Sequence, residues 1–97
     1  MMEIKLHSRV GDFAENKDIA KEIRVKEIMP NIKNKTDVVL DFEEIDSATQ
    51  SFIHALISDV IREFGVEALD NLKFKNCNDT IKKIVNIVCE YMQTDHY

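Results

Sequence analysis

The sequence predicts a single α/β domain: three βα units that form a small, mainly parallel or mixed sheet with helices packed on it. Two observations carry this. Segments whose apolar residues alternate, or form one short unbroken run, themselves alternate with segments whose apolar residues recur every three or four positions. Two glycines and one proline are the whole stock of strong chain breakers, so no flexible linker divides the chain. Alternating strand and helix implies right-handed crossovers between parallel strands, with binding sites gathered at the carboxyl ends of the strands.

Met2-Glu3-Ile4-Lys5-Leu6 alternates apolar and polar, the pattern of a strand with one solvated face. A first helix begins near Asn16 and carries Ile19, Ala20 and Ile23 on one face. Pro30 ends or kinks it, because proline has no N–H to donate. Asp37-Val38-Val39-Leu40-Asp41-Phe42 is a continuous apolar run bounded by acids, as expected of a central strand buried on both faces. In the second helix Phe52, Ile53, Leu56, Ile57, Val60, Ile61 and Phe64 recur at helical spacing, with Gly65 as its stop. Ser47 and Gln50 have the S-x-x-Q spacing of a capping box, which places the start of this helix there. Leu72-Lys73-Phe74-Lys75 alternates again as a third, more exposed strand. Asn78 is placed to cap a third helix with Ile81, Ile84, Val85, Val88 and Met92 on one stripe. Gln93 to Tyr97 reads as a polar tail that frays.

The chain of 97 residues, 44% hydrophobic and 32% charged, suits one domain spanning 1–97 with a modest core and little room for a two-lobed cleft. Thirteen basic and eighteen acidic residues give a net charge of -5, and the charges are interspersed, so nucleic acid is not an expected partner. No apolar run reaches the ~18–20 residues of a membrane span, and no basic-then-apolar leader opens the chain. A cytoplasmic protein without a membrane partner is the expectation. Cys77 and Cys89, far apart in sequence, read as buried or half-buried thiols.

The acids Asp41, Glu43, Glu44 and Asp46 offer the hard oxygen ligands that Mg²⁺ prefers, but acids before a helix start are common for dipole reasons alone. No metal or other cofactor is expected. A receiver-type phosphoacceptor at Asp41 needs an acidic pair after the first strand, where the chain reads Leu6-His7-Ser8-Arg9. His7, His54 and His96 share no ligand spacing, and His54 falls on the polar side of the second helix. Neither a phosphate-cradling glycine loop nor a nucleophile elbow is present, so no catalytic residues are assigned and no enzyme activity is expected. Ser51 lies opposite the apolar stripe in the first turn of the second helix and so faces water. A phosphate there would be tolerated near the positive end of the helix dipole, although serine at a helix start also needs no function.

Taken together, Val38-Val39-Leu40-Asp41-Phe42-Glu43-x-Ile45, Ser51-Phe52, Phe64-Gly65-x-Glu67 and Leu72-Lys73-Phe74-x-Asn76 resemble the STAS-like domain family over roughly residues 10–92. That family is related to the sulfate-transporter and anti-sigma-factor-antagonist domains. The resemblance implies partner switching in a bacterial signalling protein. Such a domain binds a histidine-kinase-like ATPase and is released when a hydroxyl at the start of the helix after the central strand is phosphorylated. Counted from the shared Leu-Asp, the acceptor falls on Ser51, with Thr49 at the head of the motif as a second candidate. The aspartate and glycine of the antagonists' D-S-S-G are Thr49 and Phe52 here, a departure at the residues such a kinase reads.

The expectation is a protein-binding regulatory module that docks through the Phe42–Gln50 loop and the exposed face of the second helix. The docking residues are Asp41, Asp46, Ser47, Thr49, Ser51, His54, Ser58 and Arg62. The alternative is a small-molecule or nucleotide sensor, or an uncharacterised enzyme, using the acidic loop. A third possibility is a structural subunit dimerised through an edge strand. A monomer or weak homodimer suits any of these.

Overall fold

The computed structural model describes residues 1–94. The three expected strands are present: β1 (Met2–Lys5), β3 (Val38–Asp41) and β5 (Leu72–Lys75). They form an all-parallel sheet in the order β1–β3–β5, with the apolar run in the middle. Register explains the sequence pattern. Ile4, Leu40 and Phe74 lie in one row and Val38 beside Leu72, and these residues belong to or pack on the core. Successive side chains alternate faces, so Glu3, Val39 and Lys73, then Lys5, Asp41 and Lys75, line the opposite face. There the Lys75 ammonium meets the Glu3 carboxylate at 3.0 Å, from one edge strand to the other. Val39 and Asp41 are buried on that face under long charged side chains. The central strand is thus buried on both faces, as expected, with the apolar core on one side and salt-bridged stems on the other.

Two elements go beyond the expected pattern: a single-turn helix α1 (His7–Val10) and a second sheet. Strands β2 (Phe13–Ala14) and β4 (Ser47–Ala48) pair in parallel, Phe13 with Ser47 and Ala14 with Ala48. Two-residue strands are too short for any periodicity to announce them.

The first long helical segment starts as α2 (Lys17–Ile23), capped by Asn16, whose side chain accepts from the Asp18 and Ile19 N–H groups. It then widens into a π-helical segment, Arg24–Ile28, and continues as α3 (Met29–Lys33). Pro30 sits in the first turn of α3 and does not end the helix. In a regular α-helix its ring would press on the carbonyl four residues back. The wider turn just before it gives that carbonyl room, and the helix continues instead of stopping.

The central helix α4 (Gln50–Phe64) ends at Gly65, which takes φ 82° and donates its N–H to the Ile61 carbonyl at 2.7 Å. A 3₁₀ turn, Val66–Asp70, leads into β5. α4 packs against α2, the π segment and α5 (Asp79–Thr94). Asn78 caps α5 by accepting from the Ile81 N–H at 2.9 Å. α5 runs through Gln93 and Thr94, which the sequence assigned to a fraying tail. Residues 95–97, His96 among them, lie outside the described residues. Among the described residues no helix is long and apolar enough to cross a membrane.

Candidate functional site

At the carboxyl ends of β1 and β3 the chain builds a recess of about 180 Å³ from Lys5, His7, Ser8, Asp41, Glu43 and Glu44. Asp41 is its floor and is 4% exposed. One carboxylate oxygen accepts from the Glu43 N–H at 2.9 Å and from the Asn76 side-chain amide at 3.0 Å. The Asn76 bond, the Glu43 N–H and the charges of Lys75 and Lys5 together hold the carboxyl below its ordinary value, against the opposing effect of burial. Asn76 takes a left-handed φ of 57°, which asparagine tolerates better than most residues. Asp41 therefore ties the loop after β3 to the loop after β5. With 4% of its surface exposed and one oxygen bonded to both donors, it offers a docking partner almost nothing to touch.

The loop from Phe42 to Asp46 is tied down along its length. The Asn78 amide donates to the Ile45 carbonyl at 3.2 Å and the Asp46 carbonyl at 3.0 Å, while its oxygen caps α5. The Asp46 N–H reaches the Asp12 carbonyl at 2.8 Å. His7 bridges from the other side: Nε2 lies 2.7 Å from the Asp12 carboxylate and Nδ1 3.7 Å from Glu44. The hydrogen bond to Asp12 is the main reason the His7 pKa rises above 6.5, with Glu44 and Asp46 adding to it and desolvation opposing it. Glu43, Glu44 and Asp46 are exposed and spread along the loop. Among the described residues no three His, Cys, Asp or Glu side chains are grouped to hold a metal ion.

The loop feeds β4 and then α4, and here the structure corrects the helix start. The N-cap is Thr49, whose hydroxyl accepts from the Phe52 N–H at 3.0 Å. Ser47 is instead a strand residue paired with Phe13. The Thr49 N–H still bonds the Ala14 carbonyl at 2.9 Å, so strand pairing persists to Thr49 and the helix cannot begin earlier. The Thr49 hydroxyl is thus engaged in the cap and its side chain is half-buried.

Ser51 is exposed, and its hydroxyl bonds no group among the described residues. His54 is half-buried, its ring centroid 6.4 Å from that of Tyr91 on α5. Arg62 is exposed and shares Asp59 with Arg24. Ser58 departs from expectation, being 2% exposed. It lies two turns beyond Ser51 on the same side of α4, but there the π segment is packed on the helix. The Arg24 guanidinium donates to the Ala55 carbonyl at 2.8 Å and pairs with Asp59 at 3.2 Å. Ser58 therefore leaves the docking surface. Cys77 and Cys89 are half-buried free thiols, and burial pushes both pKa values up.

Periodicity did not point to the exposed Phe13 beside Ser47, to Tyr91 beside His54, or to Lys17, which shares a recess with Ser51. Each comes near the candidate site through tertiary packing alone.

The family model described as a STAS-like domain of unknown function (DUF4325) matches residues 12–82. The match covers β2 through the first turn of α5 and leaves out β1 and His7. No curated protein and no solved structure matches the chain. With the model matching well over half the sequence and the parallel α/β architecture in agreement, the chain belongs to the STAS-like domain family.

Proposed function

We propose that this domain is a protein-binding regulatory module, similar in mode to an anti-sigma-factor antagonist. In this reading the loop before α4 and the first two turns of that helix dock on a partner, and phosphorylation of Ser51 releases it. The contact residues are Asp46, Ser47, Ser51, His54 and, at the far end, Arg62. One observation supports this above the others. At the start of α4 the capping task falls to Thr49, so the neighbouring Ser51 hydroxyl is exposed and has no structural employment. The ties on the loop favour the same reading, since a surface held in one conformation loses less entropy on binding. The proposed partner is an ATPase of the histidine-kinase type, and the domain acts without turnover of its own.

A photo-crosslinking amino acid at Gln50 in the cells of origin captures the partner for identification. Wild type, Ser51→Ala and Ser51→Asp are then compared by calorimetry against that purified protein. Ser51→Ala should bind close to wild type. Ser51→Asp should bind at least about tenfold more weakly, because a charge buried against an interface lacks its water. Equal affinity of the two variants would remove Ser51 from the switch.

A further inference from the structure

We propose that the phosphoryl group of phosphorylated Ser51 is seated within the chain itself, in the recess between the first turns of α2 and α4, by the Lys17 ammonium and the His54 imidazole. The inference rests on the reading of Ser51 as the modified residue and adds how the modification is held. The recess measures about 520 Å³, ample for a phosphoryl group, and is lined by Lys17, Gln50, Ser51, His54 and Ala55.

Its lining contains no carboxylate, although the chain carries eighteen acids against thirteen bases. The recess beside the far end of α4 includes Asp59 and Glu63, and that at the strand ends Asp41, Glu43 and Glu44. Glu15 and Asp18 flank Lys17 in sequence but do not line the recess. Lys17 is exposed and is paired with no carboxylate among the described residues. On α4, Ser51 and His54 are neighbours one turn apart.

A phosphoserine brings close to two negative charges and three strong acceptor oxygens. In this recess it meets a cation from α2, an imidazole N–H from α4 and the Gln50 amide, with no like charge in the lining. Phosphorylation then does two things at once. It adds charge to the docking face, and it turns His54 toward Lys17, so that a partner loses that imidazole as a contact.

The test uses the full chain with phosphoserine encoded at position 51, and ³¹P NMR follows the second ionisation of the phosphate, which lies at about 6 when solvated. A nearby cation favours the dianion, so the folded protein should titrate at least about half a unit below the same protein unfolded in urea. Lys17→Gln should remove most of that difference, Lys17→Arg should keep it, and His54→Gln should remove part. Circular dichroism on the same samples verifies that each variant is folded. A folded midpoint equal to the unfolded one, or unmoved by Lys17→Gln, overturns the proposal. Partner affinity is measured separately. A seated phosphate that leaves the partner bound sinks the switch and keeps the seat, whereas a freely titrating phosphate that still releases the partner sinks the seat alone.

Discussion

Substitution of Asp41 separates the charge of this carboxylate from its hydrogen bonds. Both donors, the Glu43 N–H and the Asn76 amide, meet the same oxygen. An asparagine in the same rotamer keeps that oxygen as a carbonyl with two lone pairs, so Asp41→Asn retains both bonds and loses the charge. Asp41→Ala loses everything. A hydrogen bond to a charged group contributes about 1.5–3 kcal/mol and a neutral one about 0.5–1.5 kcal/mol. Two bonds sharing one oxygen, with donors on exposed residues that water can reach, belong at the lower end. Asp41→Ala should therefore cost about 3 kcal/mol, and Asp41→Asn, which keeps about 1 kcal/mol of neutral bonding, about 2 kcal/mol. Urea unfolding followed by circular dichroism reads both as shifts in midpoint at constant slope. The sign with pH follows from the lowered pKa. The contribution is complete above the ordinary value of 3.8 and is lost as pH falls through the lower folded value. The advantage of wild type over Asp41→Asn should thus hold from neutral pH down to 3.8 and close below it. Equal losses for asparagine and alanine, or an advantage over asparagine that survives in acid, would refute a role as a charged tie between loops.

Thr49→Ala should cost about 1 kcal/mol through loss of the N-cap, while Ser51→Ala should leave the unfolding midpoint unchanged; the reverse order would restore Ser51 as the structural hydroxyl. His7 carries a raised pKa, so its pairing with Asp12 and Glu44 stabilises the fold below 6.5 and is lost as pH rises through the higher folded value. The difference in melting temperature between wild type and His7→Gln should accordingly shrink with rising pH, and a constant difference would exclude the clasp.

Much of the fold was legible because its rules are local. The alternation in β1 and β5 reflects a sheet with one face on the core and one under charged stems, and the unbroken run in β3 reflects its central place. The helix start near Asn16 and the cap at Asn78 were readable because a short polar side chain before an amphipathic run has few other uses. The fate of Pro30 was not readable. A proline forbids a regular turn, but whether the chain stops or widens depends on what anchors it. Here Arg24, at the start of the wide turn, is fastened to Ala55 and Asp59 of another helix.

The candidate site shows the same division more sharply. Ser47 and Thr49 are equally competent caps by chemistry, and the choice is made by pairing with β2, a strand of two residues distant in sequence. Ser51 and Ser58 share one helical direction, so no periodicity separates them; the packing of neighbouring helical segments on α4 buries one and leaves the other in water. Asp41 looked like part of an acidic surface, yet Asn76 and the arching Glu3–Lys75 pair turn it into a floor. In each case the sequence supplied the right kind of residue and tertiary packing decided which copy was free to act. Under the proposed switch Ser51, exposed and unbonded between the capping Thr49 and the buried Phe52, is the hydroxyl that the first turn of α4 leaves open to modification.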